Sequence, residues 1–439
     1  MSNPAALSSL AYFPEAIQGT PPADAAAWLA SGIRIRHLAE ALDPSGIKRS
    51  SLEDLRSQDT LQGTEQRVVG VDNPEFPFAV YGHGLGVVTA DTMQAAAIPL
   101  MDLFAHSIGG QRQTFSHTVS GAGSTTTSID VSDASDWEVG DFVGVAFAAA
   151  PAGFPAGTVF PRRILTITPG APDNITIDQA LPAAPADLDI IHATVFAYVD
   201  EDVICDSDGA GGPFTRSWLI EKGLATASGS RHEAWEIRGS VSMLDALTAE
   251  RDQLLQFGFT VMGSSHATPP NAPEPVWVTE PLGFAGLAVG PLTQLWLEDQ
   301  GTTTNTLVNA FSVNVEPGVP RTRTEVTTSP DQFVEATSDY SSEPAETTIT
   351  LGLSPFDNTR WDEWESGTFK TLRWTRLGTA GNGFFIHFSR VSYVEEPSRS
   401  INGSVSGTEI VLKAHPDPLP SPAPTNTAKW ISKIIIGAF

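Results

Sequence analysis

The sequence predicts a mainly β fold: a β-barrel or sandwich with flanking short helices, plus a small inserted β-barrel-like domain. Three observations predict it. The stretch 372–415, LRWTRLGTAGNGFFIHFSRVSYVEEPSRSINGSVSGTEIVLKAH, reads as three or four strands joined by tight turns. One short helical signal, SPFDNTRWDEWESG (354–367), precedes it. The 38 Gly and 33 Pro, with many Thr, Ser and Val, favour turns and strands, and the Ala/Glu/Lys/Leu blocks of a helical bundle are missing. At 439 residues the chain can bury a sizeable core divided among two or three units.

Residues 1–115 are assigned to the N-terminal part of the core, with an arm and a helix. PPADAAAWLASG (21–32) reads as a helix opened by Pro and Asp24 and closed by Gly32. SSLEDLRS (50–57) reads as another helical turn capped by Ser50 or Ser51. Residues 66–89 read as strand, turn, strand. Residues 91–108 form the best longer helix candidate, with Leu100, Leu103 and Phe104 on one side and Gly109-Gly110 as a stop. Pro99 is expected to kink or split it.

Residues 116–199 are assigned to the inserted small β domain. Trp137 starts a turn, Gly140-Asp141 makes it, and Phe142, Val143 and Val145 continue the next strand. Ile164–Thr168 and Ile175–Asp178 flank the turn PGAPDN. Residues 200–415 form the main core. Within it Trp235–Val241 is expected to pair with Leu254–Met262 across a short helix or loop. Residues 263–292 are too rich in Pro and Gly for a sheet and are expected to form a long exposed loop. LWLED and NAFSVNVEPGV are strands. Residues 416–427, PDPLPSPAPTNT, read as a Pro-rich linker of polyproline II character within a 416–439 linker and C-terminal arm. That linker is expected to carry the final Ile-Ile-Ile to a distance, as an added strand or a plug against a neighbour.

The formal charge is 25 − 51 = −26. This argues against gripping nucleic acid by phosphate neutralisation, yet suits a surface past which nucleic acid slides; solubility is the simpler reading. Cys205 is the single cysteine, so neither an internal disulfide nor a Cys-cluster metal site is available. The N-terminus lacks the pattern of a secretory signal, and no apolar run reaches the roughly 18–20 residues of a membrane span. A soluble, intracellular chain is expected.

No catalytic, cofactor-binding or metal-ligating residue is assigned, and no cofactor. The nine His (37, 83, 106, 117, 192, 232, 266, 387 and 415) are scattered without H-x-x-x-H spacing, which favours buried or capping roles. DEDVICDSDG (200–209) and DVSDASDWE (130–138) offer oxygen ligands but lack a calcium-loop pattern, so solvated acidic loops are favoured. GSVSG (403–407) centres on Val405, not Ser, and reads as a hairpin turn. GHGLG (82–86) lacks the Lys-Ser/Thr of a phosphate loop. Asp362, Glu363 and Glu365 lie on the 357–366 helix. Trp361 and Trp364 are expected to form its buried face and the acids its wet one, in preference to a carboxylate pair beside a sugar platform.

Three groups of segments, taken in order, resemble the tail tube (major tail) proteins of long-tailed bacteriophages. LMDLFAHSIGG…QTFSHTV (100–119) looks like that family's helix and following strand. WEIRGSVSMLDALTAERDQLLQFGFTVMG (235–263) is similar to its strand–excursion–strand hairpin. AFSVNVEPG (310–318), FDNTRWDEWESGTF (356–369) and the strands to His415 resemble its second half. Together they cover roughly half the chain. The resemblance implies a tail-tube-type barrel or sandwich and a virion protein without enzymatic activity, assembled in the host cytoplasm. It implies self-association into stacked rings, hexameric or trimeric with pseudo-sixfold symmetry, contacting tape measure, terminator and distal tail proteins. DNA passes through the lumen without specific binding, and no membrane is involved. Two rival classes stay open: a minor, distal or receptor-binding tail protein meeting host glycans through Trp137 or Phe142, and a β-fold polysaccharide hydrolase.

Overall fold

The computed structural model describes residues 8–16, 19–35, 37–38, 41–47, 49–53, 67–72, 74–82, 99–121, 123–200, 215–223, 232–250, 252–267, 292–317, 321–326, 337–342, 346–354, 358–402, 405–421 and 423–439. They form a mainly β protein in which every strand pairing is antiparallel. One large sheet system carries most strands, and a six-stranded sheet stands beside it.

The strand His232–Glu250 joins the parts of the large sheet. Its first half pairs with Arg216–Gly223, placing Trp218 opposite Ile237. Its second half pairs with Gln256–Met262, placing Val241 opposite Met262 and Leu247 opposite Phe257. Its end also pairs with Ala310–Glu316. The expected pairing of Trp235–Val241 with Leu254–Met262 therefore holds only at Val241, and no helix intervenes. The segment SMLDALTAE misleads because Leu244 and Leu247, both buried, stand three apart as on a helix. A register shift between Leu244 and Ala246 resets the alternation, so both reach the core from a strand.

From Ala310–Glu316 the sheet continues through Thr348–Leu353 to Val405–Ala414. The end of Phe384–Tyr393 pairs with Val405–Ala414, and Lys370–Arg376 bridges Phe384–Tyr393 to Thr293–Asp299. The start of Phe384–Tyr393 pairs with Ile435–Ala438, which pairs in turn with Val195–Val199, followed by Gly109–Gln113. This corrects the C-terminal arm. The Ile-Ile-Ile strand is interior to this chain's own sheet, and Ile434, Ile435, Ile436 and Phe439 are fully buried. Segment 416–427 does not project either: Asp417 is buried, and the Pro418 carbonyl accepts from Trp430 Nε1 at 2.9 Å. An apolar triplet has the same signature in a central strand and in an extended arm.

The core gathers around the helix Pro99–Ile108. Phe104 packs edge-on to Phe257 at 4.7 Å between ring centroids and lies near Phe259 and Phe384. Leu100, Met101, Leu103 and Ile108 are buried with it. The described part of this helix begins at Pro99, so the kink or split expected there lies at the edge of the described residues. Residues 91–98 lie outside the described residues. The N-terminal helix Ala25–Ser31 has its expected ends, with Asp24 accepting from the Ala27 N–H and Gly32 following. The helical turn expected at 50–57 is instead the strand Arg49–Glu53, paired with Arg67–Asp72; residues 54–57 are outside the described set. The loop expected at 263–292 begins with a strand, Ser265–Ala267, paired with Glu236–Arg238, and 268–291 lie outside the described residues.

The smaller sheet runs His117–Thr118, Ile190–His192, Phe142–Ala146, Val159–Thr168, Asp173–Ile177 and Ser128–Val131. Its two ends meet where Val119 bridges Val131, with the Ser120 N–H donating to the Asp130 carbonyl. The sheet thereby closes on a core that includes Ile129, Val143, Val145, Phe160, Ile164, Ile175 and Ile191. Closure removes edge strands. Gly140 turns with φ +92, and a Cβ there would press on the Trp430 ring at 3.2 Å. The barrel ends before Val195–Val199, which belongs to the large sheet, so the expected 116–199 span is too long by that strand.

Candidate functional site

Charged side chains are buried together where the small barrel meets the large sheet. The strand Val159–Thr168 brings two adjacent arginines, and because side chains alternate along a strand they serve opposite faces. Arg162 donates to the carbonyls of Pro161, Gln179 and Ala180 at 2.8–3.0 Å. Burial and then neighbouring Arg373 pull its pKa down, opposed by the charge of Asp178. Arg163 stacks on Trp430 at 4.0 Å. It donates to Ser389 Oγ at 2.7 Å, Asp417 Oδ2 at 3.1 Å and the Trp430 carbonyl at 3.0 Å.

Arg373, on the strand Lys370–Arg376, crosses from the large sheet toward the barrel. It pairs with Asp178, donates to the Pro161 carbonyl at 3.1 Å, and lies over the rings of Phe142 and Trp296. His387 sits beside it. Burial, then the charges of Arg373 and Arg163, hold His387 well below the usual imidazole range. Burial pushes the Asp417 carboxyl up, opposed by Arg163. These groups surround a cavity of about 180 Å³ lined by Arg163, Asp178, Trp296, His387, Ser389 and Asp417, among others.

Ser389 and His387 stand 3.2 Å apart through Nε2, the spacing of a nucleophile and its base. The hydrogen-bond directions exclude that role. Arg373 Nη2 lies 3.3 Å from His387 Nδ1, and a guanidinium only donates. Nδ1 is therefore the acceptor, and Nε2 carries the proton and donates to Ser389. A ring in this tautomer has no lone pair facing the hydroxyl, so it cannot take the hydroxyl proton.

The carboxylates expected on the 357–366 helix behave differently from the sequence reading. On the helix Thr359–Ser366 it is Trp364 that is exposed, at 36%, while Arg360 is buried and Glu363 faces inward. Glu363 accepts from Arg360 at 2.7 Å, Lys370 at 2.9 Å and the Tyr393 hydroxyl at 2.6 Å. Burial opposes its charge, yet the bonds from Tyr393 and Lys370 and the charge of Arg360 hold the carboxyl below its usual range. Asp362 and Glu365 are exposed, so the three acids do not converge. The buried Arg360–Glu363–Lys370 chain prevailed over the two indoles because charges of the helix and of the strand Lys370–Arg376 meet there.

The 130–138 acids serve the turns of the barrel. Asp130 accepts from Asn174, Asp133 from the Ser135 N–H, and Asp136 lies 3.7 Å from His117. Cys205 and the 201–209 part of the acidic run lie outside the described residues, as does His83. His106 bonds Ser242 at 2.8 Å, His415 bonds Ser392 at 2.7 Å, and His37 bonds Ser8 at 2.7 Å. Among the described residues no group of three His, Cys, Asp or Glu could hold a metal ion. Gly82 lies against Leu255, and 83–86 are outside the described set. Asn402 faces Val405 across a hairpin end, as the GSVSG reading expects; 403–404 are outside. Trp137 and Phe142, the residues expected to meet glycans, are buried.

Sequence reasoning missed the Arg162/Arg163/Asp178/Arg373/His387/Asp417 cluster. Its one visible signal was PRRILTIT, two arginines inside an apolar strand. A second cluster ties the C-terminal segment to the barrel: Lys429 meets Asp141 at 2.5 Å and Glu138 at 3.1 Å, and Arg112 meets Asp141 at 3.1 Å. No protein-family model matches the sequence, and no curated protein is significantly similar to it. No helix among the described residues is long and apolar enough to cross a membrane.

Proposed function

We propose that the chain is a structural subunit of a long-tailed phage tail, self-associating into stacked rings around a channel for DNA. The observation that carries this reading is the ordered resemblance at 100–119, 235–263, 310–318 and 356–369 to tail tube proteins. Those segments fall on the core helix, on strands of the large sheet, on His117–Thr118 of the small barrel and on the helix Thr359–Ser366. Two further features support it. Among the described residues, Gly109–Gln113 pairs on one side only, leaving backbone donors and acceptors for a neighbouring subunit. The net charge of −26 would keep DNA from adhering to a lumen wall.

A hydrolase reading draws no support from Ser389–His387, whose tautomer is wrong, or from Glu363, whose oxygens are taken up by cations. A receptor-binding reading loses the two aromatics it invoked. Negative-stain electron microscopy at high protein concentration tests the proposal. Stacked rings or tubes with a central channel are expected; monomers or single trimers at every concentration would refute it.

A further inference from the structure

We propose that the cavity between the small barrel and the large sheet binds a small oxyanion, a phosphate or a carboxylate. The argument rests on which polar groups still need partners. Every oxygen of the two carboxylates at the cavity already accepts a hydrogen bond. Asp178 accepts from the Arg163 backbone N–H at 3.0 Å and from Arg373. Asp417 accepts from Arg163 at 3.1 Å and Gln300 at 2.7 Å. What is left over is donors. Arg163 Nε and Trp296 Nε1 are buried without an acceptor among the protein atoms, and both side chains line the cavity. Ser389 Oγ already accepts from Arg163 and from the His387 Nε2–H, so its own hydrogen is free to point at an occupant.

Charge does not oppose an anion there: Arg163 and Arg373 each pair with one of Asp417 and Asp178, and the free donors are what an occupant would meet. A buried donor without an acceptor costs about 1–3 kcal/mol. An oxyanion supplies several acceptors and one or two negative charges in a single group, and charge-assisted bonds to Arg are among the stronger ones. The cavity of about 180 Å³ exceeds a water molecule's share of liquid volume, about 30 Å³, and so has room for such a group. A metal cation is disfavoured, since the only anionic oxygens there are already engaged.

The test uses the full chain in a buffer free of both anions. Sodium phosphate and sodium acetate are added in separate titrations, with sodium chloride at matched ionic strength as reference. Intrinsic tryptophan fluorescence, which Trp296 and Trp430 report, and the thermal midpoint are followed. A saturable fluorescence change and a rise in midpoint with phosphate, acetate or both, absent with chloride, support the proposal. Trp296→Phe keeps the ring contacts and removes the donor. It should weaken binding at least about tenfold while leaving the anion-free midpoint unchanged or higher. Ser389→Ala provides a second reading should the tryptophan variant fold poorly. No saturable change beyond chloride, or parental affinity in both variants, would overturn it. Ring assembly is scored by microscopy, so either result leaves the tail proposal standing on its own test.

Discussion

Arg373 is held by the Asp178 carboxylate, the Pro161 carbonyl, Gln179 Oε1, His387 Nδ1 and two aromatic faces, with its whole side chain buried. Removing one partner of such a pair strands the other charge. Asp178→Ala should therefore cost about 3–5 kcal/mol, measured as a shift in urea midpoint, whereas replacing both residues by Leu and Met should recover most of the loss. His387 adds a pH dependence of definite sign. Its folded pKa lies below the unfolded value of about 6.5, so the unfolded chain binds the extra proton. The stabilisation is full above that value and is lost as pH falls from about 6.5 toward the folded pKa, with a slope of up to about 1.4 kcal/mol per pH unit. Asp417 shifts in the opposite sense, so the comparison with His387→Asn is the clean readout. Thermal midpoints at about pH 7.5 and 5.5 should differ less in that variant than in the parent. None of this was legible in the chain. Arg163, His387 and Asp417 are more than 200 residues apart at their extremes, and only the crossing of strand and C-terminal segment brings them together.

At the scale of elements, legibility followed local pattern. Asp24 and Gly32 bound the first helix as their capping chemistry requires. The PGAPDN turn lies between strands that pair Ile164 with Ile177 and Thr168 with Asn174. Failures came where two structures share one pattern. The 49–53 segment carries helix-compatible residues but pairs with the β-branched Arg67–Asp72, so a partner distant in sequence decided it. The Ile434–Ile436 run was apolar enough for an external arm, yet it lies between Val195–Val199 and Phe384–Tyr393. Ile436→Ala should lower stability by about 2–5 kcal/mol, as for other buried large-to-small changes. Deleting Lys433–Phe439 should abolish the cooperative thermal transition in circular dichroism, because two strands would lose their shared neighbour. A truncated chain that melts like the parent would show the strand to be dispensable.

For the whole molecule, mainly β architecture was legible because turn-forming and β-branched residues are spread along the entire length. The placement of charge was not, since among the described residues the cations in the seam and under the C-terminal segment are buried against acids, while the chain as a whole carries −26. This bears directly on assembly. If like-charged copies of the chain stack, their approach is opposed by a field that salt screens over a Debye length of about 10 Å at roughly 0.1 M. Sheet edges pair through backbone hydrogen bonds, which salt does little to weaken. Rings and stacks should therefore grow with ionic strength, from low at about 0.02 M sodium chloride to extensive at about 0.5 M, followed by sedimentation velocity and microscopy. Assembly that is strongest at low salt and dissolves as salt rises would mean that subunits meet through opposite charges rather than through β-edges. The open strand Gly109–Gln113 would then not be the joining surface, and the ion pairs to seek would be those between surface acids of one copy and the exposed Lys and Arg of the next.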